Sequence, residues 1–124
     1  MIENPFILEP YKSKELFCDG DLSRPLNLTE PYREAAEALR WAPSAVNKQP
    51  WRVICQDGRF HFYEKKDKGY VSDAVGDMQK IDLGIGLCHF MLALEASDRR
   101  PVMTIEDPQL PVLPEMEYIA TVEA

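Results

Sequence analysis

The segment at residues 41–51, WAPSAVNKQPW, carries the side chains best suited to bind a planar ligand. Asn47 and Gln49 each present a hydrogen-bond donor and an acceptor on one planar amide. Pro43 and Pro50 stiffen the segment and exclude it from a helix or a central strand, because proline fixes φ and lacks an N–H. A stiff loop with such amides suits a heterocycle with alternating N–H and C=O groups. The alternative is a connector in which both amides satisfy local backbone groups.

A short amphipathic helix is predicted immediately before this segment, from Glu30 to Arg40. Thr29 is a favourable N-cap, and Pro31 is tolerated in the first turn of a helix. Pro43 prevents the helix from continuing, because the residue before a proline avoids the α region. Four residues spaced i, i+3, i+4 and i+7 form the face that we expect to be buried: Tyr32, Ala35, Ala36 and Leu39.

A β-hairpin is predicted immediately after the segment. Its strands, residues 51–56 and 59–63, flank an Asp-Gly pair at 57–58 that favours a tight turn. The second strand alternates, with two phenylalanines on one face and His61 on the other. Residues 64–77 are predicted to form a charged, turn-rich loop.

The longest predicted element is a helix from Met78 to Ala96, which is apolar almost all round between residues 83 and 94. Such a helix is buried on several sides. Gly84 and Gly86 lower its helix propensity by about 1 kcal/mol each, and glycines at such positions usually permit another backbone to approach closely. One side of this helix carries the stripe Met78, Ile81, Ile85, Cys88, Leu92 and Ala96.

Two further strands, at residues 102–105 and 118–122, complete the predicted elements. Together they predict an α+β fold, in which an antiparallel sheet packs on the long buried helix and the shorter N-terminal helix. Residues 1–27 are predicted to be an extended N-terminal arm, and residues 28–124 the domain itself. The arm carries too many large apolar residues for a solvated tail, among them Phe6, Ile7, Leu8, Tyr11, Leu16 and Phe17. We therefore expect it to lie on its own domain or on a partner.

Composition and charge exclude several classes of protein. A chain of 124 residues with a net charge of −7 is one domain, and it suits neither nucleic acid nor an anionic membrane surface. No apolar run approaches the ~20 residues of a membrane span, and no signal-peptide pattern begins the chain. We therefore expect a cytoplasmic protein. Cys18, Cys55 and Cys88 are widely spaced, which indicates neither a zinc site nor a redox pair.

The run at residues 42–52, APSAVNKQPWR, resembles the Pro-Ser-x-x-Asn-x-Gln-Pro-Trp segment of the nitroreductase superfamily. That superfamily consists of FMN-dependent reductases with an α+β fold. The order of the predicted elements agrees with it. The chain is most similar to the C-terminal half of the branch in which two nitroreductase-like halves are fused. The resemblance covers roughly residues 28–122, which makes residues 28–124 a nitroreductase-like half-domain.

The resemblance implies that four residues lie against the flavin, at an interface between subunits or halves: Pro43, Ser44, Ala45 and Asn47. Gln49 matches the motif's glutamine. No catalytic side chain is implied, because the flavin itself performs the redox chemistry, with NAD(P)H as the electron donor and a small molecule as the acceptor. The family's phosphate-binding segment, of the Arg-x-Ser-x-Arg type, has no match at the start of this chain.

Two functions follow from this reading. The first is an FMN-dependent oxidoreductase of the nitroreductase type. The second is a non-catalytic half-domain that binds no flavin on its own. Either one predicts a homodimer or a pairing with a missing N-terminal half, because exposure of the long helix would leave an apolar patch that is unusual for a monomer. Gly84 and Gly86 would then admit the helix of the other half, or, alternatively, this chain's own sheet.

Overall fold

The computed structural model describes residues 16–24, 26–44, 48–66, 71–72, 76–77 and 79–124. Within these residues the elements are, in chain order, β1 (Phe17–Asp19), α1 (Tyr32–Arg40), β2 (Trp51–Gln56), β3 (Arg59–Lys65), β4 (Val71–Ser72), β5 (Gly76–Asp77), α2 (Gln79–Ala96), β6 (Val102–Thr104) and β7 (Met116–Glu123).

Five of these strands form one sheet in the order β1-β2-β3-β7-β6, and β4 pairs with β5 separately. The β2–β3, β3–β7 and β7–β6 pairs are antiparallel, as predicted, whereas β1 joins β2 in parallel. The α+β fold is thus confirmed, with a sheet that is mixed rather than wholly antiparallel. None of the described helices is long and apolar enough to cross a membrane.

Strand β1 lies within the stretch for which the sequence predicts an extended arm. Phe17 pairs with Val53 of β2, and both Leu16 and Phe17 are fully buried in this chain's own core. The end of the stretch therefore packs on its own domain. Residues 1–15 lie outside the described residues, and the division at residues 27 and 28 stays a prediction.

The hairpin is confirmed, and β3 continues two residues beyond its predicted end. Gln56 pairs with Arg59, and Asp57 and Gly58 between them have φ values of 53° and 75°. Positive φ at both central residues is the geometry that favours Asp-Gly in a two-residue hairpin turn. The extension of β3 to Lys65 brings Glu64 into the sheet rather than into a loop.

Helix α1 begins at Tyr32 rather than at Glu30. Pro31 occupies the cap position without a side-chain hydrogen bond, and Thr29 is exposed. The reason is that the residue before a proline avoids the α region, which excludes Glu30 from the helix. The predicted apolar face is confirmed, because three of its four residues are buried: Ala35, Ala36 and Leu39.

Both helices contribute to one core on one face of the sheet. Aromatic rings form its centre, since the Phe90 ring of α2 lies 5.2 Å from both Phe60 and Phe62 of β3. Tyr32 of α1 lies 5.5 Å from Phe60, and its hydroxyl donates to the carbonyl oxygen of Ala124 at 3.0 Å. These contacts hold α1, α2 and the end of the chain on the same face of the sheet.

The two glycines of α2 have different surroundings, which corrects the expectation that both admit another half. A Cβ atom at Gly86 would lie 2.6 Å from Leu39 Cδ1 and 2.9 Å from Trp51 Cε3, so the close approach is by side chains of this chain's own α1 and β2. A Cβ atom at Gly84 would have no atom of another described part of the chain within 4 Å.

The apolar stripe of α2 faces away from the core. Ile81 is 66% exposed and Leu92 is 56% exposed, while Leu83, Leu87 and Phe90 are buried against the sheet and α1. The helix is thus not buried all round within this chain. The exposed side comprises Ile81, Gly84, Cys88 and Leu92, with Ile85 half-buried beside them.

A β-bulge in β7 changes which residues lie on each face of the sheet. Phe62 pairs with Ala120, but the next residue, Tyr63, pairs with Tyr118, so Ile119 is the extra residue. Beyond the bulge, Tyr118 packs against Tyr63 on the face away from the helices, with ring centroids 5.7 Å apart.

Candidate functional site

The motif segment leaves the end of α1 and enters β2. Pro43 is exposed and Ser44 half-buried, whereas Gln49 and Pro50 are buried. Ala45 and Asn47, two of the residues that the resemblance assigns to flavin binding, lie outside the described residues. The described part of the segment is therefore its two ends, residues 41–44 and 48–51.

Those two ends are joined by a hydrogen bond. The Gln49 N–H donates to Ser44 Oγ at 2.9 Å, which closes the base of the loop between them. Gln49 adopts a positive φ of 47°, and its side chain is only 2% exposed. Ser44 therefore has a backbone-ordering role, and Gln49 does not present its amide at the surface.

The exit of the segment is tied to the sheet. The Lys65 N–H donates to the Pro50 carbonyl oxygen at 2.7 Å, which continues the ladder between β2 and β3. Arg52 Nη1 donates to the carbonyl oxygens of Gln49 and Trp51 at 2.8 and 2.7 Å. These bonds satisfy the carbonyl groups on either side of Pro50, which has no N–H to contribute to the hydrogen bonds of a regular strand pair.

Trp51 is fully buried in the core. Its ring lies beneath Gly86 of α2, where a side chain would not fit. Its Nε1–H has no hydrogen-bond partner among the residues that the structure describes. A buried indole N–H usually has a hydrogen-bond partner, so Trp51 places an unsatisfied polar group inside the core.

Arg24 and Arg52 do not form a binding site, or clamp, for the phosphate of FMN. Arg24, which is mostly exposed, pairs with Asp21 at 3.8 Å. The guanidinium group of Arg52 is engaged by the carbonyl groups described above. Recognition of an FMN phosphate calls for convergent arginine donors, and Arg24 and Arg52 do not supply them.

An ion cluster that the sequence analysis missed lies beside the exit of the segment. Lys80 Nζ of α2 contacts Glu64 Oε1 at 3.3 Å, Asp77 Oδ2 at 2.8 Å and Glu117 Oε2 at 3.0 Å. Glu64 is fully buried and pairs directly with Glu117 across β3 and β7. Lys66 binds the other oxygen of Glu117 at 2.7 Å.

The sequence does contain one signal for this cluster. Glu64 continues the alternation of Phe60 and Phe62, which places it on the helix-facing side of β3. Its predicted assignment to a charged loop was wrong, because the strand continues to Lys65. A charged residue at a core-facing position requires a partner, and Lys80 is that partner.

The carboxyl groups of the cluster differ in their tendency to bind a proton. Burial, then the hydrogen bond and negative charge of Asp77, raise the pKa of Glu64 to about 7, although Lys80 opposes this. Burial alone would raise the pKa of Asp77, but its bonds with Glu64 and Lys80 outweigh that effect and lower it. Bonds from Lys66 and Lys80 lower the pKa of Glu117. Glu64 is thus the group that holds a proton near neutral pH.

A second polar network lies on the opposite face of the sheet. The Glu106 N–H donates to the Tyr118 hydroxyl at 3.0 Å, Tyr118 contacts Thr121 Oγ1 at 2.6 Å, and Thr121 contacts His61 Nδ1 at 2.8 Å. Burial, then the charge of Arg59, lower the pKa of His61, which favours the neutral ring.

His61 also borders a cleft of about 390 Å³ on that face. None of the described residues of the motif segment lines this cleft, so it is separate from the candidate site. Its other lining residues are Gln56, Asp57, Arg59, Pro108 and Glu123.

Comparison with known proteins identifies the family. The sequence model of the family described as "Putative TM nitroreductase" matches residues 23–94, which include α1, the motif segment and most of α2. A crystal structure of a putative nitroreductase from Thermotoga maritima is similar in fold, with a TM-score of 0.62 and 22% sequence identity. No curated protein matches this chain.

The match to the Thermotoga maritima structure covers 94% of this chain but 42% of that chain. The chain thus spans less than half of the length of that relative. The family match extends over more than half of this chain and contains the whole motif segment. The chain therefore belongs to the putative TM nitroreductase family and has a nitroreductase-like fold.

Proposed function

We propose that this chain is one half of an FMN-dependent oxidoreductase of the nitroreductase type, which uses NAD(P)H to reduce a small acceptor. The observation that carries the proposal is the family match over residues 23–94, because it contains the complete motif segment. When bound, the flavin would accept hydride from the nicotinamide and pass reducing equivalents to the acceptor. The expected cytoplasmic location remains part of this proposal.

The chain's own residues would bind and orient the ring. Pro43 offers an exposed apolar surface at the start of the segment, and Ser44 and Gln49 close its base. Ala45 and Asn47 are proposed to contact the ring, as the resemblance implies. The side chain of Gln49 is buried, so its proposed role is to support the loop and not to contact the ring.

We propose that the phosphate is held by another half or another subunit. Two missing arginine contacts would weaken FMN binding by roughly 3–6 kcal/mol, or by about 10²–10⁴ in affinity. The net charge of −7 adds a mild repulsion that physiological salt screens. A homodimer of this chain does not supply the clamp, because both copies have the same sequence.

The exposed stripe of α2 is the proposed surface for that pairing. Ile81, Ile85 and Leu92 are spaced as one apolar helix face, and Gly84 leaves room there for a close neighbour. A second copy is the proposed occupant for the isolated chain. The alternative function, a dimerisation half-domain without flavin, rests on this same surface together with the missing clamp.

The pairing is tested by sedimentation of two matched variants. Leu92→Glu should shift the chain toward monomer, because it places a charge in the centre of an apolar contact. Leu113→Glu is the control, since Leu113 is also exposed but lies outside α2. A chain that is monomeric at micromolar concentration, or equal loss of pairing in both variants, contradicts the proposed surface.

The cofactor is tested by titrating the chain with FMN and with riboflavin while following flavin fluorescence. We expect weak binding of both, with little preference for FMN. Submicromolar binding with strong preference for FMN would reveal a phosphate site in this chain. A dimer that takes up neither ligand would instead favour the half-domain alternative. Oxidation of NAD(P)H with a nitroaromatic acceptor, in the presence of added FMN, tests the reaction itself.

A further inference from the structure

We propose that Glu64, Asp77 and Lys80 form a proton-binding site that controls how firmly the start of α2 is held on the sheet. The site stands apart from the proposed function, because it requires no flavin. It joins β3, β5 and α2 through a single lysine side chain.

Geometry limits how many negative charges this site can hold. The Glu64 side chain is fully buried and that of Asp77 nearly so, with exposed fractions of 0% and 13%. Glu117, directly opposite Glu64 across the sheet, brings a third carboxylate. Lys80 is the cation that these carboxyl groups share, and Lys66 binds Glu117. A buried charge without sufficient compensation is expensive, so one proton relieves the crowding.

That proton belongs on Glu64. Asp77 accepts hydrogen bonds from Lys80 Nζ at 2.8 Å and from the Gln79 N–H at 3.0 Å, which hold it ionised. Glu64 contacts Lys80 only at the longer distance of 3.3 Å, and its Oε2 has no hydrogen-bond partner among the described residues. With Glu64 protonated, Lys80 is shared by two carboxylates. With Glu64 ionised, it is shared by three. Ionisation thus weakens the attachment of α2 at its first turn.

The site also adjoins the motif segment. Glu64 pairs directly with Trp51 in the β2–β3 ladder, so their side chains lie side by side on the helix-facing surface. Glu64 Oε2 and Trp51 Nε1 are both buried, and neither has a hydrogen-bond partner within the described part of the chain. Trp51, which has no ionisable group, therefore reports on the charge of Glu64 from inside the core.

The experiment uses Trp51 as the fluorophore. Trp41 is 58% exposed and is the other tryptophan, so a Trp41→Phe variant leaves Trp51 as the single reporter. In this background we expect the emission to change with pH around a midpoint near 7, and Glu64→Gln to abolish the change. Glu117→Gln is the matched control and should retain a transition.

Two charge variants test the direction. Asp77→Asn removes a neighbouring negative charge and should lower the midpoint by roughly one pH unit, whereas Lys80→Met removes the cation and should raise it. If Glu64→Gln does not fold, carbon NMR of the Glu64 carboxyl group in the Trp41→Phe chain measures the same titration. A transition that persists in Glu64→Gln, or a Glu64 carboxyl group that titrates below pH 5, overturns the proposal.

Discussion

Replacement of Gly86 by alanine should destabilise the chain, whereas the same change at Gly84 should stabilise it. At Gly86 the new methyl group would meet Leu39 Cδ1 at 2.6 Å and Trp51 Cε3 at 2.9 Å. Both partners are fully buried, so neither can turn away without displacing other core side chains. Such overpacking typically costs about 1–3 kcal/mol.

Helix propensity acts in the opposite direction and equally in both variants. Alanine is better than glycine by about 1 kcal/mol in a helix interior. The free energy of unfolding should therefore fall by roughly 0–2 kcal/mol in Gly86→Ala and rise by about 1 kcal/mol in Gly84→Ala, where nothing lies within 4 Å. Because helix propensity contributes equally to both variants, the difference between their free energies of unfolding measures the cost of overpacking at Gly86.

Urea unfolding followed by circular dichroism measures this difference at one low protein concentration. With a slope of about 1–3 kcal/mol per molar urea, the two midpoints should differ by about 1 M. Equal slopes would show that both variants unfold from a comparable native state. Equal midpoints, or a higher midpoint for Gly86→Ala, would refute the conclusion that Gly86 lies against α1 and β2.

Three further outcomes are expected. Ser44→Ala should weaken riboflavin binding two- to tenfold, because it removes the hydrogen bond from Gln49 that closes the loop, which is worth about 0.5–1.5 kcal/mol. Ser97→Ala, after α2, is the control and should leave riboflavin binding unchanged, so equal titration curves for the two variants would contradict this. Thr121→Val should lower the free energy of unfolding by about 1–3 kcal/mol, because it leaves His61 Nδ1 buried and unpaired; urea unfolding measures it. The pKa of Glu64, raised in the folded chain from 4.5 to about 7, makes the contribution of this group to stability fall as pH rises from 4.5 to 7, by up to roughly 3 kcal/mol. Urea midpoints at several pH values should show that fall in the wild-type chain and not in Glu64→Gln, and parallel profiles would count against it.

The elements that were predicted correctly are those with a local signal. The hairpin follows from an Asp-Gly pair between two alternating strands, and the buried face of α1 follows from helical spacing. Strand β1 has no such signal, because its three residues become a strand by pairing in parallel with β2, about 35 positions away in sequence. Pairing of that kind depends on the assembled fold.

The orientation of α2 could not be predicted for a different reason. A helix with apolar residues on all sides has no preferred face, so periodicity cannot show whether Leu83 or Ile85 points inward. On the side facing Leu39 and Trp51, Gly86 lies where a Cβ atom would be too close to both side chains, and this contact depends on the assembled fold. For the candidate site, the motif identified the segment, but the bond from Gln49 to Ser44 depends on a positive φ that the sequence does not reveal.

The bulge at Ile119 imposes a length constraint on the end of the chain. It reverses the alternation of β7, so that Glu117 faces Lys80 while Tyr118 reaches Thr121 on the opposite face. A regular strand would exchange these two side chains and break both polar networks at once. Insertion of one residue between 116 and 120 should therefore disturb the two faces together, whereas deletion of Ile119, the extra residue, should leave Tyr118 and Glu117 on their present faces.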